Sequence, residues 1–260
     1  MDDITGWIRA LEDKHLADLT FPEVSRALRA LSSAYVERRG RLKEGAALSG
    51  AGKRAAFALF YAPLHYLLVR EIVTKLDVTP PGIAALVDLG CGTGASGAAW
   101  AHSFPKPPTV VGIDLNSWAL AEAARTYRAF GLSARTRLGD VATGAWPKPP
   151  AALLAAFTLN ELAEAAREAV LRRLVERGER GAAVLVVEPL AGFVAPWWKR
   201  WSAAFVEAGG RADEWRFRVE LPAIVAKLDR AVGLDHRELT GRSLWLGRSV
   251  PQGAGHDAST

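Results

Sequence analysis

The residues best equipped for chemistry in this 260-residue sequence stand in one short run, Val87-Asp88-Leu89-Gly90-Cys91-Gly92-Thr93-Gly94-Ala95. An apolar stretch leads straight into Gly-x-Gly-x-Gly, which opens a segment of small residues with helical character. Glycines at that alternation permit a turn closed to other residues and let a ligand approach the main chain. The helix start beyond them offers unpaired N–H groups to the same place. A glycine loop by itself also fits a plain strand–helix turn, so its neighbours must decide. Twenty residues past Gly94 the next strand-like run ends at Asp114. A carboxylate there is the expected partner of the two hydroxyls of a ribose. A third run ends in Leu138-Gly139-Asp140-Val141. Three successive strands thus end in Asp88, Asp114 and Asp140, which are expected to line one crevice. That much acid disfavours a pyrophosphate and favours a cationic ligand carrying an adenosine.

Cys91 is the one cysteine of the chain, which excludes a disulfide framework and any site built from several thiolates. Within the loop it reads as a small side chain where small side chains fit. His65 and His236 lack companions at metal-ligand spacing and read as structural. Half of the residues are hydrophobic and 23% are charged, which excludes disordered and fibrous classes. The net charge of +5 permits a polyanionic partner without requiring one. Between Ser25 and Arg54, Arg26, Arg29, Arg38, Arg39, Arg41, Lys43, Lys53 and Arg54 face only Glu37 and Glu44. This stretch is either a solvated helical surface or a footprint for a phosphate backbone. Met1-Asp2-Asp3-Ile4 does not start a secretory signal, and apolar stretches such as Ala151–Leu159 are too short to span a bilayer. A soluble, cytoplasmic protein with no membrane partner is expected.

The elements that must hold these residues follow from periodicity. Val24–Tyr35 and Phe57–Leu76 repeat apolar residues at three- and four-residue spacing, as helices do. Val78-Thr79-Pro80-Pro81-Gly82 breaks the pattern. Strand-like runs then appear at Ala85–Leu89, Thr109–Asp114, Ala134–Leu138, Ala152–Thr158 and Ala183–Glu188. Helical stretches at Ala95–Ser103, Ser117–Phe130 and Glu161–Arg177 separate them, and two further strands, Trp215–Leu221 and Ser243–Gly247, flank a helix at Ala223–Val232. Apolar strands alternating with amphipathic helices predict an α/β fold. The expected architecture is a Rossmann-like, seven-stranded, mostly parallel sheet with helices on both faces. An N-terminal helical extension spans 1–80, the sheet domain 81–248 and a disordered tail 249–260.

On the run Val87–Gly94, with Asp114 and Asp140, the sequence resembles the Rossmann-like S-adenosylmethionine-dependent methyltransferases over about 85–190. The resemblance implies that Gly90, Cys91, Gly92 and Gly94 pass the methionine moiety and that Asp88 holds its ammonium, directly or through water. Asp114 would bind the ribose hydroxyls, Asp140 and Val141 would flank the adenine, and Leu115 and Phe157 would complete the cofactor-binding set.

The acceptor is less legible. The fourth run ends Ala156-Phe157-Thr158-Leu159-Asn160-Glu161-Leu162. It lacks the Asn/Asp/Ser-Pro-Pro-aromatic loop shared by enzymes that methylate exocyclic amines of bases, and no cysteine is there to attack a cytosine ring. Asn160 suits a helix cap as well as a catalytic role, and Glu188-Pro189 suits a strand end as well as substrate orientation. Tyr61-Ala62-Pro63-Leu64, Leu159-Asn160-Glu161-Leu162, Val187-Glu188-Pro189-Leu190-Ala191-Gly192-Phe193 and Trp215-Arg216-Phe217-Arg218 occur in an order similar to the ribosomal small-subunit methyltransferase-like family of bacteria and mitochondria, over roughly 20–248. This resemblance implies action on ribosomal RNA or the small ribosomal subunit, with Asn160, Glu188 and Tyr61 as candidate catalytic residues. Members of that family commonly carry a cysteine cluster suited to an iron–sulfur centre. Val194–Arg218 holds no cysteine, so neither a metal nor an iron–sulfur cluster is expected. That segment instead interleaves Trp197, Trp198, Trp201 and Trp215 with Lys199, Arg200, Arg211, Arg216 and Arg218. Such a mixture stacks bases and pairs phosphates, or else Trp198, Trp201 and Phe205 form the apolar side of a packed helix. Core packing is expected for at least two of the tryptophans. A small-molecule acceptor beneath a helical lid, and a non-catalytic assembly factor retaining the fold, are the alternatives.

Overall fold

Strands β1 (Ala85–Leu89), β4 (Ala151–Ala156) and β5 (Ala183–Glu188) are apolar along nearly their whole length, and only a sheet covered on both faces buries them. The computed structural model, which describes residues 3–37, 48–148, 150–190 and 196–247, shows such a sheet. With β2 (Thr109–Asp114), β3 (Ala134–Leu138), β6 (Arg211–Phe217) and β7 (Leu239–Leu246), seven strands lie in the order β3-β2-β1-β4-β5-β7-β6. β1 to β5 pair in parallel, while β7 runs antiparallel to both β5 and β6. Chain progression reverses between β1 and β4, which opens a crevice at the carboxyl ends of those strands.

The two-residue period of the strands divides the core. Leu86, Val110, Leu154, Leu185 and Trp245 face one side with helices α4 (Ala62–Leu76), α5 (Ala95–Ser103), α6 (Ser117–Ala129) and α9 (Ala223–Val232). Val87, Ile113, Leu153, Val186 and Leu244 face the other, beneath α7 (Glu164–Glu179) and α8 (Trp198–Glu207). The N-terminal helices join the first of these cores. In α1 (Asp3–His15) the Trp7 ring, 2% exposed, lies against Tyr66 and Phe130, and in α2 (Phe21–Glu37) Leu28 and Leu31 are fully buried.

Chain 51–76 is one continuous helical rod, starting as α3 (Ala51–Ala56) and passing through a π-helical turn at Phe57–Tyr61 into α4. Its 26 residues are apolar and long enough to cross a bilayer, contrary to the expectation that no segment would be. Most of it is buried inside the protein, however, so its composition is that of a core helix wrapped on all sides. The last two strands along the chain begin earlier than expected, β6 at Arg211 and β7 at Leu239. In β6, half-buried Asp213, Trp215 and Phe217 alternate with exposed charged residues, and pairing with β7 rather than apolar content defines the strand. Arg38, Arg39, Arg41, Lys43, Glu44, the run Ala191-Gly192-Phe193 and the tail 249–260 lie outside the described residues.

Candidate active site

The glycine loop leaves β1 over a buried carboxylate. Asp88 is 1% exposed, and its Oδ2 accepts from the Tyr127 hydroxyl (3.0 Å) and the Gly97 N–H (3.1 Å). Gly97 lies in the first turn of α5, so Asp88 satisfies one of that helix's free donors from beneath and ties β1 to α5 and α6. This corrects the expectation that Asp88 lines the crevice. Strand alternation turns residue 88 to the face covered by α5 and α6, and the chain does not bend outward until Gly90. Burial pushes the Asp88 carboxyl up to about 7. A Cβ on Gly97 would stand 2.3 Å from Asp88 Oδ2. Gly97→Ala is therefore expected to cost about 2–3 kcal/mol in urea unfolding, since the methyl must displace a carboxylate that holds two donors.

Gly90 and Gly92 take left-handed angles, φ +68° and +51°. A side chain at Gly90 would collide with Thr158, whose Oγ1 lies 3.0–3.1 Å from the Leu89, Gly90 and Ala156 carbonyls and locks the glycine loop to the end of β4. At Gly92 a Cβ would meet nothing within 4 Å, so the main chain there faces open space. The Gly90 and Cys91 N–H groups both donate to the Ile113 carbonyl. The Cys91 thiol turns inward, and burial raises its pKa, so it stays protonated at neutral pH. Gly94 caps α5.

Asp114 ends β2 beside this loop. Its Oδ2 accepts from Gly92 N–H (2.9 Å) and its Oδ1 from Asn116 N–H (2.8 Å), which points the carboxylate along the crevice floor. Leu115 is 54% exposed, and Leu138, the register partner of Asp114 on β3, is 63% exposed. These two leucines give the rim an apolar surface. Asp140 is exposed, with Oδ1 accepting from Ala142 N–H, whereas Val141 packs into the core under α7.

Across the switch point, Phe157 leaves β4 with φ +57°, which strains a residue carrying a large side chain. Its ring stacks on His65, with centroids 3.8 Å apart and planes 14° from parallel. Burial drops the His65 pKa to about 3, so this imidazole is neutral. Tyr61 and Phe57, one and two turns earlier on the rod, meet the same His65 ring, Phe57 nearly perpendicular at 83° and Tyr61 tilted at 47°. His65 thus joins Tyr61 to the β4 loop rather than standing alone. The Phe57, Tyr61, His65 spacing of four residues was the signal that could have shown it. His236 by contrast is paired with Asp229 and packed on Phe60, as a structural histidine is.

Glu188 at the end of β5 is fully buried. Its Oε1 accepts from Leu159 N–H (2.8 Å) and its Oε2 from Asn160 Nδ2 (2.6 Å), while Asn160 Oδ1 accepts from Trp197 Nε1 (3.0 Å). Glu188 therefore does not open on the crevice but sets the orientation of Asn160. Burial raises its carboxyl to about 8, leaving it protonated at neutral pH. Trp197, Trp201 and Phe205 are buried, and Trp198 and Trp215 are half-buried, so core packing claims most of the tryptophans.

Residues 86–180 match the family model described as a methyltransferase domain. No curated protein matches the chain. Among solved structures, a candidate O-methyltransferase from Nostoc punctiforme is similar at a TM-score of 0.53 and 14% identity, covering 86% of this chain and 69% of that one. The plantazolicin methyltransferase BamL is similar at a TM-score of 0.50 and 9% identity, covering 87% and 97%. A candidate RNA methyltransferase from Pyrococcus horikoshii has a TM-score of 0.48 at 14% identity, covering 88% and 100%. Residues 86–180 form an S-adenosylmethionine-dependent methyltransferase domain.

The crevice of this methyltransferase fits that cofactor. The open space over Gly92, the aligned Asp114 carboxylate and the apolar surfaces of Leu115 and Leu138 suit a ligand that joins a cation to a nucleoside. When bound, S-adenosylmethionine supplies an electrophilic methyl group. Asp114 is the residue placed to hold the ribose hydroxyls, and the Gly92 main chain lies against the open side of the loop. Among the described residues, no group of three or more His, Cys, Asp or Glu is arranged to hold a metal ion.

Proposed function

We propose that this methyltransferase modifies RNA of the small ribosomal subunit, in the cytoplasm. One observation carries the reading. Two of the four segments on which the resemblance to the small-subunit family rests, those holding Leu159-Asn160 and Glu188, are far apart in sequence yet meet in one hydrogen-bonded unit beside the glycine loop. In that unit Asn160 is the group that orients an acceptor. Glu188 and Trp197 hold its amide from both ends, and a fixed amide discriminates acceptors by their own donors and acceptors. Displacement at a sulfonium methyl needs alignment and exclusion of water more than acid–base assistance, so positioning supplies most of the acceleration.

A second reading, a small planar acceptor, is favoured by the aromatic stripe Phe57, Tyr61, His65, which walls the β4 end from the N-terminal rod. The neighbours named for O-methylation and plantazolicin methylation agree with it. One experiment separates the two. Radiolabelled methyl transfer is followed with small subunits, naked small-subunit RNA and flat small molecules, and RNA binding is measured from 50 to 200 mM salt. The RNA reading expects label in the subunit or its RNA, with affinity falling by about 0.7–0.9 log units per log unit of salt for each phosphate contacted. Label only in small molecules, with no salt dependence, sinks it.

A further inference from the structure

Arg242 on β7 is 4% exposed, yet its Nε and Nη2 donate to nothing. Its register partners are Glu188 on β5 and Glu214 on β6, so all three side chains leave the sheet on the face covered by α7 and α8. Both carboxylates act on its charge, but neither accepts a hydrogen bond from Nε or Nη2. Glu188 gives its oxygens to Leu159 and Asn160, and Glu214 is exposed on the edge strand. The guanidinium instead lies 4.2 Å over the ring of Trp198, the first residue of α8. No side chain caps that helix, so its N-terminal end, with the positive end of its dipole, lies at the same place. A second arginine repeats the pattern. Half-buried Arg167 sits 5.7 Å from the ring of Trp197, and its Nε also lacks a partner although its Nη1 donates to the Leu162 carbonyl; the two tryptophan rings are 5.4 Å apart. Buried arginines with a purely structural role have their donors satisfied, because an unpaired buried donor costs stability.

We propose that Arg242 and the first turn of α8 form an oxyanion subsite for the methyl acceptor. Two oxygens of a phosphate or carboxylate match the guanidinium fork, the aromatic plane of Trp198 holds the fork in place, and the helix terminus adds donors and a positive field. Trp197 places this subsite next to the Asn160 amide, so an acceptor held there is gripped at its charged end while its reacting end faces the crevice. The inference rests on the methyltransferase reading. If the acceptor is RNA, the oxyanion is a backbone phosphate beside the target nucleotide. If it is a small molecule, the oxyanion is the acceptor's own phosphate or carboxylate.

The test titrates the full-length enzyme, Arg242→Gln and Arg242→Lys with inorganic phosphate and separately with acetate, by calorimetry. S-adenosylmethionine affinity is recorded on each variant as the measure of an intact fold. The expected result is binding of at least one anion that weakens by a factor of about ten or more in Arg242→Gln and by less in Arg242→Lys, which keeps the charge but not the fork. Preference for phosphate supports a nucleotide acceptor. Preference for acetate supports the subsite and points to a carboxylate-bearing small acceptor instead. Binding by neither anion, or equal binding by Arg242→Gln with cofactor affinity intact, overturns the proposal. Should Arg242→Gln not fold, Arg242→Lys decides: unchanged anion affinity in that variant overturns the fork. Anion binding that depends on Arg242, with no methyl transfer to RNA, leaves the subsite standing and removes only the RNA reading.

Discussion

Replacing Asp114 by alanine is expected to weaken S-adenosylmethionine binding by about 100-fold in a calorimetric titration. Asp114 carries two loads. Its oxygens already accept from Gly92 and Asn116, which fixes both the open side of the glycine loop and the start of α6. Its remaining lone pairs are the acceptors offered to a ribose. Hydrogen bonds to a charged group contribute about 1.5–3 kcal/mol each, and losing two of them to the cofactor, with partial replacement by water, comes to about 3 kcal/mol. Asp114→Asn keeps the shape and one acceptor, so its loss is expected to be near tenfold. Urea unfolding of both variants without cofactor distinguishes lost contacts from a loosened loop. An alanine variant that binds with unchanged affinity would remove Asp114 from the cofactor site.

The second large effect concerns stability and pH. Folding raises the Glu188 carboxyl from about 4.5 to about 8, chiefly by burial. Between these values the folded chain keeps a proton that the unfolded chain has released, so stability falls as pH rises, by about 1.4 kcal/mol per pH unit for one proton. Asp88, raised to about 7, acts in the same direction. His15 and His65 oppose them below pH 6.5, because burial lowers their values to about 4 and about 3 and the unfolded chain then holds the extra protons. The cleaner window is therefore about pH 7.5 to 8, where the histidines are about nine-tenths or more neutral in the unfolded chain and neutral in the folded one. Wild-type stability is expected to drop across that window, and Glu188→Gln is expected to flatten the Glu188 share of the drop. At pH 6.5 the amide should itself cost about 1–2 kcal/mol, since its NH2 group faces either Leu159 N–H or Asn160 Nδ2. Identical pH slopes for wild type and variant would show that Glu188 does not hold its proton.

The parts of this design that were legible in the sequence are those governed by neighbours along the chain. β1, β2, β3 and β5 occur where short apolar or β-rich runs predict them, because a strand's two-residue period and a helix's 3.6-residue period are local signals. The glycine loop and the acid ending β2 were legible for the same reason, since a tight strand–helix turn and a strand-end carboxylate follow from a handful of consecutive residues. β6 was placed four residues too late, because an edge strand carrying Arg211, Asp213 and Glu214 shows no apolar run and is defined only by pairing with β7.

What each polar group faces was settled elsewhere. Asp88 belongs to the loop motif by position, yet Gly97 and Tyr127, from two different helices, draw its carboxylate under the sheet. Glu188 and Asn160 stand 28 residues apart, and only the parallel pairing of β4 with β5 brings the carboxyl under the amide. Arg242 gave no sequence signal at all. A lone arginine in an apolar strand becomes informative once antiparallel register sets it between two glutamates and packing lays it on Trp198 with Nε and Nη2 lacking an acceptor. The sequence by itself thus determined the order of elements, the glycine loop and the acid at the end of β2, all products of short-range sterics and periodicity. The tertiary structure alone decided which carboxyls are buried and protonated, which amide is held rigid and which guanidinium keeps buried donors without an acceptor. Those properties depend on desolvation and on partners supplied by distant strands, and no window of consecutive residues contains them.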